Sequence, residues 1–148
     1  MTLYVDADAC PVKDEALRAA VRHNRRLVLV CNGGIRPVDH PLVEMVYVGD
    51  GLDEADRWIA EHAGKGDIVV TSDIPLAAAC VRGNAIALKP DGTVITERNV
   101  GETLALRDLM TDLRSANPLG AQGGRGFGPR DRSRFLEALD RLLRGGAG

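Results

Sequence analysis

The sequence contains very few aromatic residues: phenylalanine, tyrosine and tryptophan together make up 3% of its 148 residues. The core must therefore be built from valine, leucine, isoleucine and alanine. Proteins that bind single-stranded nucleic acid by stacking its bases need exposed aromatic rings. The composition consequently argues against a base-stacking platform.

Cysteine is scarce as well, and long apolar runs are missing. Cys10, Cys31 and Cys80 are odd in number and lack Cys-x-x-Cys spacing, which argues against a disulfide framework or a zinc site. Asp6 and Asp8 interrupt the amino-terminal apolar residues before they reach the length of a signal peptide. Since no stretch approaches the ~18 apolar residues of a membrane span, we expect a cytoplasmic protein without membrane segments.

The chain has no excess of positive charge, because its net charge is -2. The charge is nevertheless unevenly distributed. Residues 114–148 contain seven arginines and three acids and have a net charge of +4, so residues 1–113 have a net charge of -6. The basic end can be a patch that contacts phosphates or the solvated side of an amphipathic helix, and charge alone favours the helix. The length and the 45% hydrophobic content predict a single domain over residues 1–148.

Short apolar segments alternate with helical patterns along the chain. The apolar segments are continuous and mostly β-branched, which is typical of parallel strands covered on both faces. We therefore predict a three-layer α/β/α fold with a mainly parallel sheet. The predicted strands are residues 3–5, 27–30, 43–48, 68–70 and 85–88. The first predicted helix has Pro11 in its first turn, and the others span 53–62, follow Ser72-Asp73 and span 100–114.

The later part of the chain departs from this alternation. A turn at residues 89–92 predicts a small hairpin between residues 85–88 and 93–95. Five glycines and Pro118 predict a flexible loop over residues 115–128. A C-terminal helix is predicted over residues 130–144, either folded over the functional site or mediating a homodimer.

Acidic residues follow three of the predicted strands. Ligands of open α/β sheets bind outside the carboxyl ends of the strands, so these acids should meet at one edge. All-oxygen ligands favour Mg²⁺ or Mn²⁺. The predicted metal ligands are Asp6, Asp8, Asp53, Asp56 and Asp73, with Thr71 and Ser72 beside them.

Each acid also has a structural interpretation, since Asp73 or Ser72 can cap a helix, and so can Asp53. Asp56 is harder to explain as a cap because it shares a helix face with Ile59 and Ala63, where a carboxylate is costly to desolvate unless it is paired or bound to a metal. Other polar residues are expected to be structural or on the surface: Asp67 at the opposite edge of the sheet, and His23, His40 and His62 in surface or loop positions.

Three segments resemble the YaiI/YqxD family of bacterial proteins across almost the whole chain. They are Asp6-Ala7-Asp8-Ala9-Cys10-Pro11-Val12, the run from Gly66 through Thr71-Ser72-Asp73 to Ala77, and Arg130-Asp131-Arg132.

A more distant resemblance is to the PIN-like nuclease superfamily. The resemblance rests on three features: a strand that ends in Asp, the pattern Asp-x-x-Ile-Ala-x-x-Ala at residues 56–63, and a strand followed by Thr-Ser-Asp. This resemblance implies a metal-dependent ribonuclease in which Asp6, Asp56 and Asp73 hold the metal. Many PIN nucleases add a fourth acid from a middle helix, and here Asp8 and Asp53 are the candidates for that role.

Three functions remain open. The first is a Mg²⁺- or Mn²⁺-dependent phosphodiesterase acting on RNA, with Asp6, Asp8, Asp56 and Asp73 as catalytic residues. Its substrate-binding residues would be Thr71, Ser72, Lys13, Arg130 and Arg132. The second is a phosphatase resembling the haloacid-dehalogenase superfamily, with Asp6 as nucleophile and Asp8 as acid/base. The third is a non-catalytic PIN-like module that binds metal or RNA.

Overall fold

A six-stranded sheet forms the centre of the protein. The computed structural model describes residues 1–8, 10–33, 35–49, 54–106 and 127–145. Five strands are parallel, and β6 pairs with β5 in the antiparallel direction, which confirms the predicted hairpin. The strands are β1 (Thr2–Asp6), β2 (Arg26–Cys31), β3 (Val43–Tyr47), β4 (Ile68–Val70), β5 (Ile86–Leu88) and β6 (Val94–Ile95).

The helices follow the predicted order. α1 begins two residues after Pro11, so the proline lies in the turn before the helix and not in its first turn. Residues 107–114 of the predicted fourth helix and residues 115–126 of the predicted glycine loop lie outside the described residues. The helices are α1 (Lys13–Arg22), α2 (Glu54–His62), α3 (Ile74–Arg82), α4 (residues 100–106) and α5 (Pro129–Gly145).

Alternating side chains of β1 and β4 contribute to two apolar cores on opposite faces of the sheet, and a third apolar cluster joins α3 to β5 and β6. Leu3 and Val5 of β1 pack with α1 and α5, whereas Tyr4 packs with α2 on the opposite face. The same alternation holds in β4, where Ile68 and Val70 face the first core and Val69 faces the second. Helices therefore cover both faces of the sheet, and the predicted three-layer α/β/α architecture is confirmed.

The order of the strands determines where a ligand site can form. The order of the strands in the sheet is β3-β2-β1-β4-β5-β6. β2 and β3 therefore lie on one side of β1, and β4, β5 and β6 lie on the other. The carboxyl ends of β1 and β4 adjoin at this reversal, where open α/β sheets leave a crevice. The crevice is thus expected directly beyond Asp6 and Val70.

The C-terminal helix packs on its own domain. Phe135, Leu139 and Leu143 of α5 are fully or almost fully buried in the core that contains α1. Asp140 accepts a hydrogen bond from His23 Nε2 at 3.0 Å and lies 3.4 Å from Arg22 Nη1, so polar contacts flank the apolar ones. Among the described residues, no helix is both long and apolar enough to cross a membrane.

Asp67 and His62 occupy a structural and a surface position, as predicted. Asp67 lies at the amino edge of β4, where its oxygens accept hydrogen bonds from Thr2 N at 2.9 Å and Gly64 N at 3.0 Å. Its predicted structural role is confirmed. His62 stacks on Trp58 with the ring centroids 3.8 Å apart, so it supports the packing of α2.

Replacing Gly92 with alanine should destabilise the hairpin and its contact with α5. Gly92 has φ +93°, and an added Cβ would lie 2.8 Å from both the carbonyl carbon and the oxygen of Arg134. Backbone strain and the clash act together, so we expect a loss of ~2–4 kcal/mol in the free energy of unfolding. Urea denaturation of the variant measures it. Gly101→Ala is the control, because Gly101 has open space around it, and equal stability of the two variants would contradict the expectation.

Candidate active site

Asp6 and Thr71 meet because of the register between β1 and β4. Val5 pairs with Val70, so the next residue on each strand, Asp6 and Thr71, points to the same face of the sheet. The Thr71 hydroxyl donates a hydrogen bond to Asp6 Oδ2 at 3.3 Å. Thr71 is 3% exposed, so the hydroxyl is a buried link between the two strand ends.

Asp73 extends this link into α3. Its backbone N–H donates to Thr71 Oγ1 at 3.0 Å, and its Oδ1 accepts from Leu76 N at 2.9 Å as the N-cap of the helix. The capping role considered for Asp73 is therefore confirmed. Its second oxygen, Oδ2, makes no hydrogen bond or ion pair with the described residues. One oxygen of the Asp73 carboxylate thus caps the helix, and the other is not used by this cap.

A cavity of about 280 Å³ opens at this point, where the strand connections reverse. Its walls come from the carboxyl ends of β1, β4 and β5 and from the turns that follow them. We call it the carboxylate cavity; it is lined by Asp6, Cys10, Thr71, Ser72, Asp73 and Pro90. The structure therefore brings together four of the predicted residues: Asp6, Thr71, Ser72 and Asp73.

The carboxylate cavity has a negative character that affects Asp6. Burial raises the pKa of the Asp6 carboxyl, the Thr71 hydrogen bond lowers it, and the charges of Asp8 and Asp73 raise it further, so the net shift is upward. An upward shift means that the ionised form of Asp6 is disfavoured here unless positive charge arrives. The cavity is thus suited to a cation or to a proton.

Cys10 forms part of the wall but is not a candidate nucleophile. Burial raises the pKa of its thiol to about 11, in spite of the opposing effects of the hydrogen bond with the Val12 backbone and of the Lys13 charge. The thiolate is the reactive form of cysteine. At neutral pH the Cys10 thiol therefore remains protonated, and its contribution is to shape the cavity.

Asp8 does not line the carboxylate cavity, although its charge acts on Asp6. Both of its oxygens accept a hydrogen bond from the backbone N–H of Asn32, each at 3.1 Å. The carboxylate thus joins the turn after β1 to the turn after β2. In the phosphatase alternative Asp8 would exchange a proton with the substrate, whereas in this structure both of its oxygens are engaged by the Asn32 N–H.

Asp56 lies on α2 and does not line the carboxylate cavity. It is half-buried, and its charge adds to burial in raising the pKa of the Cys80 thiol on α3 to about 11. Within the described parts of the chain, no three histidine, cysteine, aspartate or glutamate side chains are grouped to hold a metal ion. Asp53, another predicted metal ligand, lies outside the described residues.

The predicted substrate-binding cations Lys13, Arg130 and Arg132 do not line the carboxylate cavity. Lys13 is half-buried at the start of α1, and Arg130 is exposed at the start of α5. Arg132 Nη1 donates to the Pro11 carbonyl oxygen at 2.6 Å and to both Glu15 oxygens at 3.2 and 3.0 Å. Arg132 of α5 thus lies against α1, where it neutralises Glu15, a side chain only 6% exposed.

Three residues of this region escaped the sequence interpretation. Pro90 and Cys10 were not recognised as cavity walls, although Pro90 follows the strand end of β5 and the strand-end rule applies to it. Glu15 was also missed, and its signal was available. It stands on the same helix face as Ala16, Ala19 and Ala20, so the apolar stripe of α1 already contained a buried acid.

Almost the whole chain is similar to known bacterial proteins. Residues 4–145 match the family described as "Uncharacterized BCR, YaiI/YqxD family". A UPF0178 protein of Cereibacter sphaeroides is 62% identical over 142 residues, covering 96% of this chain and 88% of the relative. A UPF0178 protein of Ruegeria pomeroyi is 60% identical over 144 residues, covering 97% and 94%. No solved structure matches the chain significantly. The chain therefore belongs to the bacterial YaiI/YqxD family.

Proposed function

We propose that the protein is a Mg²⁺- or Mn²⁺-dependent phosphodiesterase that cleaves RNA at the carboxylate cavity. The observation that carries this proposal is the meeting of Asp6 and Asp73 in one cavity at the reversal of the strand order. The reversal is the usual ligand position in open α/β sheets. The PIN-like resemblance, which also places acids after these two strands, supports the same activity.

The donor set of the cavity fits a hard divalent ion. Mg²⁺ is commonly bound by one or two carboxylates, with substrate phosphates and waters as the other ligands. Asp6 and Asp73 supply two carboxylates, and Asp73 Oδ2 makes no hydrogen bond or ion pair with the described residues. The upward pKa shift of Asp6 reflects burial and like charges that a bound cation would offset. When bound, such an ion supplies positive charge beside the scissile phosphate.

The side chains of the cavity have distinct roles in this proposal. The Thr71 hydroxyl donates a hydrogen bond to Asp6 and accepts one from the backbone N–H of Asp73. Thr71 thereby fixes the orientation of both acids. Ser72 is exposed in the wall of the cavity, so its hydroxyl is placed to donate to a phosphate oxygen of the substrate. Asp8 acts indirectly, because its bonds to Asn32 hold the two turns beside the site together.

A cleavage assay tests the proposal. Purified protein with Mn²⁺ should cut fluorescently labelled single-stranded and structured RNA, and EDTA should stop the reaction. Asp6→Asn should lower the rate ~100-fold or more, because charge stabilisation by a metal is worth several kcal/mol. Asp39→Asn is the matched control, since Asp39 is an exposed aspartate in the segment after β2, and it should cut RNA at the wild-type rate.

Other results would reject the proposal. The wild type should be tested at an enzyme excess large enough to detect the loss of activity in Asp6→Asn. RNA left intact by the wild type at that excess would reject the ribonuclease proposal. Hydrolysis of p-nitrophenyl phosphate with a trapped phosphoryl group on Asp6 would instead support the phosphatase alternative. RNA bound but never cleaved would support the non-catalytic module.

A further inference from the structure

A second cavity lies on the α1 side of the sheet and has a different lining from the carboxylate cavity. Its volume is about 260 Å³. It is formed by the first turns of α1, by Leu29 of β2 and by the segment that follows β2. We call it the cationic cavity; it is lined by Lys13, Asp14, Leu17, Leu29, and residues 35–38.

The charges of the cationic cavity are suited to an anion. Lys13 and Arg36 both line it, and within the described chain neither makes a hydrogen bond or an ion pair. Asp14 is the single acid of the lining, so the lining has a net positive charge in a protein whose overall charge is -2. This local excess of positive charge is therefore not a general property of the surface.

The remaining walls of the cationic cavity are aliphatic. Leu17, Leu29, Ile35 and Val38 surround the space, together with Pro37. A volume just below the ~300–1,000 Å³ of typical ligand pockets accommodates one small molecule or one residue of a polymer. An apolar chamber with two cations at its wall matches the two parts of a nucleotide, a flat base and an anionic phosphate.

The chain connects the two cavities directly. Cys10 lines the carboxylate cavity and Lys13 lines the cationic one, and three residues span at most ~11 Å. The charge of Lys13 also acts on the Cys10 thiol, which shows that the ammonium lies within electrostatic range of the carboxylate cavity. The linings of the two cavities are therefore close together in the structure.

We infer that the cationic cavity binds a nucleotide of the RNA chain next to the scissile phosphate, with Lys13 and Arg36 on its phosphate and the aliphatic wall against its base. This inference rests on the proposed function and adds to it the subsite that selects a nucleotide polymer. It also explains how a chain with few aromatic residues holds a base, since the wall is built from leucine, isoleucine and valine.

RNA binding without metal tests the subsite separately from cleavage. Fluorescence anisotropy with a fluorescein-labelled oligouridylate in EDTA measures affinity at low and high salt. For single strands, each phosphate contact contributes ~0.7 to the slope of the logarithm of the affinity against the logarithm of the salt concentration. At 0.1 M salt the loss of one contact in Lys13→Gln or Arg36→Gln should therefore weaken binding about fivefold. Lys13→Arg should retain affinity. The controls Lys65→Gln and Arg82→Gln remove exposed cations from the opposite edge of the sheet and should have little effect.

Competition distinguishes a nucleotide subsite from a simple phosphate site. Uridine monophosphate should displace the labelled RNA at lower concentrations than either uridine or inorganic phosphate does. Equal competition by phosphate, equal affinities of the Lys13→Gln and Lys65→Gln variants, or no RNA binding by the wild type would overturn the inference. Binding that depends on Lys13 and Arg36 without any cleavage in Mn²⁺ would uphold the subsite and reject the proposed catalysis.

Discussion

Replacing Arg132 with alanine should destabilise the protein by ~3 kcal/mol, although much of the arginine side chain is exposed. Glu15 would remain in a buried position with its main charge partner removed, and removal of one member of a buried pair typically costs ~3–5 kcal/mol. We expect a cost at the lower end of this range because Arg18 lies 3.8 Å from the same carboxylate and would still compensate part of its charge. The melting temperature should fall by ~6–12 °C for a domain of this size, as measured by differential scanning calorimetry.

Arg130 is the matched control for this prediction. It stands two residues earlier on α5, is exposed, and makes no ion pair with the described residues. Arg130→Ala should therefore change the free energy of unfolding by no more than ~0.5 kcal/mol. In the double variant Arg132→Ala/Glu15→Gln, part of the stability should return, since the neutral amide needs no counter-charge.

The same comparison separates two roles of Arg132. If Arg132→Ala left the melting temperature unchanged and weakened RNA binding, the contact with Glu15 would be incidental and the predicted phosphate contact would be correct. The geometry favours the structural role, because Nη1 already donates to Pro11 and Glu15. Through Pro11, Arg132 also holds the turn that carries Cys10 into the carboxylate cavity.

The arrangement of strands and helices could be predicted because it depends on local patterns. Continuous apolar segments identify β1, β2, β4 and β5, which are buried from both sides. The Asp73-x-Pro75 pattern identifies the start of α3, where Asp73 is the N-cap and Pro75 lies in the first turn. The order of the strands in the sheet depends on how the helices cross over, which a single sequence does not encode locally.

The candidate site could be predicted only in part, for the same physical reason. Asp6 and Thr71 follow adjacent parallel strands, so the strand-end rule is enough to bring them together. Asp8 lies on a turn, and its direction is set by the backbone N–H of Asn32, which no pattern around Asp8 reveals. The Glu15–Arg132 pair joins residues 117 positions apart, so its geometry follows from packing of α5 and not from spacing.

Mn²⁺ should stabilise the wild-type protein strongly and leave Asp6→Asn almost unaffected. At 100 times the dissociation constant a ligand adds ~2.7 kcal/mol to the free energy of unfolding, which corresponds to ~5–10 °C in melting temperature for about 150 residues. The Asp39→Asn variant should gain as much as the wild type, because that carboxylate is not part of the carboxylate cavity. Thermal unfolding at a series of Mn²⁺ concentrations measures the three proteins side by side.

Without metal the order of stability should reverse. The folded protein raises the pKa of Asp6 above its ordinary value of 3.8, mainly through burial, and therefore binds that proton more tightly than the unfolded chain does. The stability contributed by this carboxyl is complete below the unfolded pKa and is lost as the pH rises through the folded pKa. Asp6→Asn has no charge to bury and can still accept the Thr71 hydrogen bond, so at neutral pH in EDTA it should melt above the wild type.

An Asp6→Asn protein that melted below the wild type in EDTA, or that gained as much stability with Mn²⁺ as the wild type, would show that Asp6 serves the fold and not a metal ion. Higher stability in EDTA combined with a lost response to Mn²⁺ is expected of a carboxylate that is costly to bury and is retained for a ligand.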